Sequence, residues 1–349
     1  MRIGVIGAAG KIGQMRVATI LAEKRTELVA VMDVTEEKAR AHAHGAQVFT
    51  DLDTFLAVPM DAVVISTPAH VREPLCLAAF KAGLHVLTEK PLSNTVEGAR
   101  RIHAAAGKAG RALGAGFNMR YYPAFAYVKD VLDQGLIGEV DHIRIYGGHG
   151  GLANFANEWE YKAPISGGGA LWDVGIHMTD IAHYLMGDIT EVYGVAGEKV
   201  WHVPGSEDNA MAIFKSSSGL AAIYQATWND WKGYQSAVEV YGTKGMVRGA
   251  YAPMENLLIT MDKTGGPART IRKRYFDIKI REKLKSWKTT AVQSFQEELA
   301  DFIGLTEGRT GLRIADADAA LRAVEIAVAV PESSRTGVPV SLPSLAGRD

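Results

Sequence analysis

The chain has 349 residues, 47% hydrophobic and 22% charged, with a formal net charge of −1. That balance excludes a disordered or fibrous protein and gives no electrostatic basis for nucleic acid or an anionic membrane as a main partner. One cysteine, Cys76, excludes an internal disulfide and a thiolate metal cluster.

The opening run "MRIGVIGAAGKIG" carries a single Arg and a short apolar stretch broken by glycines, so no targeting signal is expected. No window reaches about eighteen uninterrupted apolar residues, so no transmembrane helix is expected; with a single cysteine, the cytoplasm is the default location. "RIGVIG" (2–7) reads as a buried strand, and Gln14 to Lys24 as a helix with Met15, Ala18, Ile20 and Leu21 inward. "ELVAVMD" (27–33) is a second strand, followed by the helix "TEEKARAHAHG" ending at Gly45. Then come "QVFTD", the helix-like "LDTFLAV", the strand "DAVVIST" (61–67), the helix "REPLCLAAFKAG" (72–83) and the strand "HVLTE". A helix, "TVEGARRIHAAAGKAG", leads to "ALGAGFN". Continuous apolar strands alternating with amphipathic helices predict an α/β, doubly wound parallel sheet over residues 1–120.

Beyond residue 120 the rhythm changes. The helix "PAFAYVKDVLDQGLIG" precedes alternating runs such as "HIRIYGG", "EVYGVAGEKV" and "SAVEVYGTKGMVRG", joined by turns such as "SSSG" and "GTKG". Residues 121–349 therefore read as an α+β domain with a large open, mostly antiparallel sheet. The basic stretch "RTIRKRYFDIKIREKLKSWK" is interrupted by Asp277 and Glu282 and reads as a solvated face. Helices over Val292 to Glu307 and Ala315 to Ala329 close the chain.

Gly7, Gly10 and Gly13 follow the first strand and open the first helix. Such a loop brings backbone amides of Gly7, Ala9, Gly10, Lys11, Ile12 and Gly13 toward a pyrophosphate, where the helix dipole favours negative charge. The spacing is GxxGxxG, not the usual GxGxxG, with Ala8 and Ala9 in the gap. Asp33, at the end of the second strand, stands where a ribose 2′-hydroxyl would be accepted and a 2′-phosphate repelled. No cation follows until Lys38, which points to NAD rather than NADP; the alternative is Asp33 as a helix N-cap.

"STP" (66–68), "AGLHVLTEKP" (82–91), "GAGFNMRYYPAF" (114–125), "GGGALWDVGIHMTDIAHYL" (167–185) and "SSRTGVPVSLP" (333–343) form an ordered series. Together they resemble the glucose-fructose oxidoreductase / inositol dehydrogenase (Gfo/Idh/MocA) family across nearly the whole chain. The resemblance implies an N-terminal nucleotide-binding Rossmann domain and a C-terminal sheet domain that makes a homodimer or homotetramer. It implies catalytic roles for Lys90, Asp173 and His177, and a cofactor side made by Ser66, Thr67, Pro68, Glu89, Pro91 and Asn118. It also implies Arg120 beside the substrate. The chain departs from the family where a histidine four residues after the "TP" proline is replaced by Arg72, with His70 nearby, and over Leu152–Pro164.

Oxidising a secondary alcohol requires removal of the hydroxyl proton as hydride leaves for nicotinamide. Asp173 and His177 are four residues apart, so on a helix they share one face. His177 suits a general base near neutrality, while Lys90 would hydrogen-bond the reacting oxygen or share the proton transfer. The pair also fits a surface contact or half of a metal site with His183, but no acidic or Cys partner is evident, so no metal is expected. Tyr121, Trp159 and Trp172, with Tyr122 and His149, offer stacking and polar surfaces for a polyhydroxylated ring. The reading is an NAD-dependent oxidoreductase of a sugar, cyclitol or glycoside. Its alternatives are a redox-cycling enzyme with retained cofactor and a non-catalytic dinucleotide sensor.

Overall fold

The computed structural model describes residues 1–151 and 159–345. They fall into two compact units: Met1–Asn118 with Lys288–Val324, and Met119–Trp287 with the chain from Glu325 onward. The sequence reading placed the boundary at residue 120 and everything later in one domain. The segment 288–324 instead rejoins the first unit, because its apolar face completes that unit's core.

In the first unit, β1 (Arg2–Ile6), α1 (Lys11–Ala22), β2 (Glu27–Met32), α2 (Glu36–Arg40), β3 (Gln47–Phe49), α3 (Leu52–Leu56) and β4 (Ala62–Ile65) alternate in chain order. They are followed by α4 (Arg72–Lys81), β5 (His85–Thr88), α5 (Val96–Ala109) and β6 (Leu113–Ala115). The six strands are parallel in the order β3-β2-β1-β4-β5-β6, the Rossmann arrangement, in which ligands bind where the order reverses between β1 and β4. Ile3, Val5, Val31 and Val64 are all but fully buried, each worth about 1.5–3 kcal/mol of apolar burial.

The inward stripe of α1 is Gly13, Arg16, Val17 and Ile20, at helical spacing, whereas Ala18 and Leu21 face outward. The expectation of Ala18 and Leu21 inside fails because Arg16 occupies the core side, its charge met by two carboxylates.

The second unit holds α6 (Pro123–Asp133), β7 (Val140–Gly148), α7 (Ala163–Ser166) and α8 (Val174–Met186), then β8 (Ile189–Gly197), β9 (Asn209–Ser216) and β10 (Ala221–Thr227). β11 (Gln235–Gly242), β12 (Gly245–Tyr251), β13 (Glu255–Met261), β14 (Ala268–Arg274) and α9 (Phe276–Lys285) follow. The chain then supplies α10 (Lys288–Thr306) to the first unit, runs through α11 (Ala317–Thr336), and ends the second sheet with β15 (Val340–Ser341). That sheet has nine strands in the order β14-β13-β12-β11-β7-β10-β9-β8-β15. All neighbours are antiparallel except β7 and β10, so only these two adjacent strands end on the same side. Every residue of β14 is exposed, as the solvated reading of the basic stretch expects. Among the described residues, no helix is long and apolar enough to cross a membrane.

Candidate active site

In the first unit, the turn after β1 is set by its glycines. Gly7 has φ +81°, and a Cβ there would sit 2.7 Å from the carbonyl oxygen of Ser66, at the end of neighbouring β4. At Gly13 a Cβ would lie 2.0 Å from the Gly7 carbonyl, so the first turn of α1 can pack on the loop only as glycine. Gly10 is the N-cap of α1, with no side-chain cap, so the helix's first amides point out of the loop. Lys11 is exposed, and Ile12 packs on the cluster of Met15, Ala291 and Phe295.

Asp33 binds this loop directly. One carboxylate oxygen accepts the amide of Ala9 at 2.8 Å and the other accepts the amide of Val34 at 2.8 Å. The Ala9 amide is therefore turned to Asp33. The residue does not cap α2, whose N-cap is Thr35. At the end of β4, the hydroxyls of Ser66 and Thr67 are buried without a hydrogen-bond partner among the described residues.

Arg72, where the family pattern has histidine, is fully buried and donates to the main-chain carbonyls of both Thr67 and Pro91. Burial pushes its guanidinium down to about 10, against the field of Glu89. It ties the turn after β4 to the turn after β5, which carries Lys90. Lys90 is half-buried and precedes Pro91 through a cis bond. Glu89 is held by Arg16, whose Nε donates to Oε1 at 2.7 Å. Asn118 is buried and donates to the Ser294 hydroxyl at 2.8 Å.

In the second unit, Asp173 is the N-cap of α8 and His177 lies one turn in. From Ala170 to Ala182 every residue is buried except these two, which are half-buried. Asp173 makes no capping bond to its helix. Its Oδ2 is instead 2.8 Å from His149 Nε2 and accepts the indole N–H of Trp228 at 3.1 Å.

The approach to Asp173 is fixed by Glu207, whose carboxylate accepts the amides of Gly169 and Leu171 at 3.0 and 2.8 Å. A Cβ at Gly169 would lie 2.0 Å from the Glu207 carbonyl, and Cβ atoms at Gly167 and Gly168 would strike the Trp172 ring. The "GGG" run is thus a backbone packed onto Trp172 and Glu207. Helix α8 is held further along by Arg120, which grips Asp180 with two bonds of 2.7 and 2.6 Å and lies 4.4 Å from the Tyr184 ring.

Residues 1–117 match the family model described as "Oxidoreductase family, NAD-binding Rossmann fold", and 125–248 match the GFO/IDH/MocA C-terminal domain. The chain belongs to the GFO/IDH/MocA oxidoreductase family. It is 30% identical over 257 residues to inositol 2-dehydrogenase of Rhizobium meliloti strain 1021, spanning 71% of this chain and 74% of that one. To 1,5-anhydro-D-fructose reductase of Ensifer adhaerens it is 30% identical over 255 residues, 71% of this chain and 75% of that one. The solved structure of GenD2 from gentamicin A biosynthesis, in complex with NAD, matches with a TM-score of 0.78 and 26% identity, covering 98% of this chain and 96% of that one.

The first unit of this oxidoreductase fits the dinucleotide its family binds. Gly7 and Gly13 let strand, loop and helix pack more closely than any side chain would allow, as the glycine-rich turn of a dinucleotide site requires, and the orphaned hydroxyls of Ser66 and Thr67 stand at the neighbouring strand end.

The other residues expected beside the substrate differ in burial. Arg120 is buried in its ion pair with Asp180, Tyr121 is buried, and Trp172 is 5% exposed beneath the glycine run. Trp159 is 41% exposed, in a short helical turn at 159–161. Most of the Leu152–Pro164 segment lies outside the described residues. Among the described residues, no three His, Cys, Asp or Glu side chains converge as a metal donor set. Glu207 is not singled out by the sequence, and Trp228 stands there only as one of six tryptophans beyond residue 150; an acid and an indole with no local periodicity give no signal of their contacts.

Proposed function

We propose that this chain transfers a hydride between a secondary hydroxyl of a sugar, cyclitol or glycoside and NAD. The observation that carries the reading is a stretch entering and running along α8, buried throughout 170–182 except at a carboxylate and an imidazole one turn apart. Such a pair suits proton removal from a hydroxyl. The names of the polyol- and sugar-handling relatives support the substrate class.

When bound, nicotinamide supplies the acceptor for the hydride leaving the carbinol carbon. The proton of the same hydroxyl goes to His177. Lys90 donates a hydrogen bond to that oxygen and stabilises the negative charge that develops there. Asp173 accepts a hydrogen bond and sets the orientation of the reacting pair. Asp33 favours NAD over NADP, since its carboxylate repels a 2′-phosphate and the neighbouring Val34 brings no cation.

The open face of the nine-stranded sheet supports a homodimer or homotetramer. Tyr193, Ile213 and Ile223 are cross-strand partners, as are Val195 and Met211, and all five are exposed.

The test is an NADH-production screen of purified protein across inositols, aldoses and glycosides. Wild type that reduces NAD with none of them sinks the reading. Lys90→Ala is expected to bind NAD yet lose turnover. If Asp33→Ala leaves the preference for NAD over NADP unchanged, the ribose role of Asp33 is wrong.

A further inference from the structure

The hydrogen bonds around Asp173 fix more than its position. His149 Nδ1 accepts the backbone amide of Gly151 at 3.1 Å, so a neutral imidazole there carries its proton on Nε2. That nitrogen is the one 2.8 Å from Asp173 Oδ2. The indole N–H of Trp228, which can only donate, reaches the same oxygen at 3.1 Å. Two donors converge on Oδ2, so this oxygen acts as an acceptor.

The fold delivers the two donors together. β7 and β10 are the parallel pair of the sheet, with Gly148 opposite Thr227, and His149 and Trp228 are the next residue on each. The His149 amide donates to the Thr227 carbonyl at 3.0 Å, which keeps the two strand ends in step. An aspartate at a helix N-cap ordinarily accepts from its own helix. Asp173 does not, so helix capping does not account for its geometry.

We infer that His149, with Trp228, is a positioning residue that fixes the carboxylate of Asp173 through a tautomer locked by Gly151. The inference rests on the hydride-transfer reading above and extends it. Around His149, the Tyr234 ring stacks at 6.2 Å and 6°. The Asp230 amide donates to the His149 carbonyl at 3.2 Å, while the Asp230 carboxylate accepts from the Tyr146 hydroxyl at 2.7 Å and the Lys232 amide at 3.0 Å. Asp173 is thus the carboxylate that the imidazole N–H meets, and Asp230 is occupied elsewhere. With Oδ2 held by two donors, the acid is preorganised toward the reacting groups, and loss of the His149 donor weakens that hold.

The test compares wild type, His149→Ala and His149→Gln. NAD affinity, thermal midpoint, KM and kcat are measured with the best polyol from the screen. Loss of a hydrogen bond to a charged group is expected to lower kcat by about 10- to 100-fold in His149→Ala, with NAD affinity unchanged. His149→Gln, whose amide N–H reaches toward Oδ2, is expected to recover most of the rate. Unchanged kcat in His149→Ala overturns the inference, as does failure of Gln to recover any rate at an equal thermal midpoint. A readout independent of turnover is the Nε2–H resonance of His149 in histidine-labelled protein, expected downfield in wild type and moved upfield in Asp173→Asn. Its absence from wild type overturns the inference even if polyols are oxidised. Wild type that oxidises no polyol overturns the hydride-transfer reading, while the resonance still decides the role of His149.

Discussion

Arg16 and Glu89 are 73 residues apart in sequence, and Arg16 Nε donates to Glu89 Oε1 at 2.7 Å. A second guanidinium nitrogen lies 2.6 Å from the same oxygen, and the Arg16 side chain is 2% exposed. The other face of the network is Glu298 on α10, 2.5 Å from Arg16 Nη1. The pair joins the helix that follows the glycine loop to the strand end that carries Lys90. Glu89, expected on the cofactor side, thus also anchors the frame.

Breaking that pair leaves a buried guanidinium short of one charge partner. Glu89→Gln is expected to lower the unfolding free energy by about 3 kcal/mol, read from urea denaturation. An unchanged midpoint and slope would show that the ion pair contributes nothing in solution.

The glycine loop gives a paired test. In Gly13→Ala the new Cβ meets a backbone carbonyl at 2.0 Å, which cannot move without opening the loop, whereas Gly10→Ala meets the Gly7 carbonyl at an ordinary 3.4 Å. Gly13→Ala should abolish NAD binding in calorimetry and Gly10→Ala should retain it. Equal losses in both would mean that the Gly7 contact does not shape the loop.

Burial holds the Glu207 carboxyl above its ordinary 4.5, although the Leu171 and Gly169 amides pull the other way. The native state then keeps a proton that the unfolded chain has released. This contribution to stability is present below 4.5 and is lost as pH rises from there through the raised value. Glu207→Gln cannot titrate. The thermal midpoint of wild type should therefore fall relative to that of Glu207→Gln as pH rises from below 4.5 toward neutrality. Parallel curves would contradict the raised carboxyl.

On the open sheet face, Ile213 is 51% exposed and sits between Tyr193 and Ile223 in the cross-strand row. Ile213→Glu places a charge in the centre of that row, where desolvating it would be costly. Sedimentation should show the variant as a smaller species than wild type at equal concentration. An unaltered distribution would mean that copies do not associate through this face.

Much of the first unit was legible because strands buried on both faces read as continuous apolar runs, as in "RIGVIG" and "DAVVIST". Asp173 and His177 were legible as a pair because helical spacing is local. What escaped depends on long-range pairing. The burial of Arg16 could not be read locally, since its partner Glu298 lies 282 residues away. The packing of the Gly167 and Gly168 backbone against the Trp172 ring carries no periodic signal either. The convergence of His149 and Trp228 on Asp173 follows from parallel pairing of β7 with β10, which no periodicity within either strand reveals. The return of 288–324 to the first unit escaped for the same reason: an amphipathic helix declares that it packs, not against what.

Leu299, Phe302, Ile303 and Ile314 share one core with Ile3, Val5, Val17 and Val64. During synthesis the ribosome therefore emits all of Met119–Trp287 before the last members of that core leave the exit tunnel. The six-stranded sheet waits, incompletely covered, while a later sheet is being made. A nascent chain halted at Asn118 would expose an apolar seam that chaperones can recognise, and a gene fragment ending there would yield a sticky product, not a free-standing nucleotide-binding module.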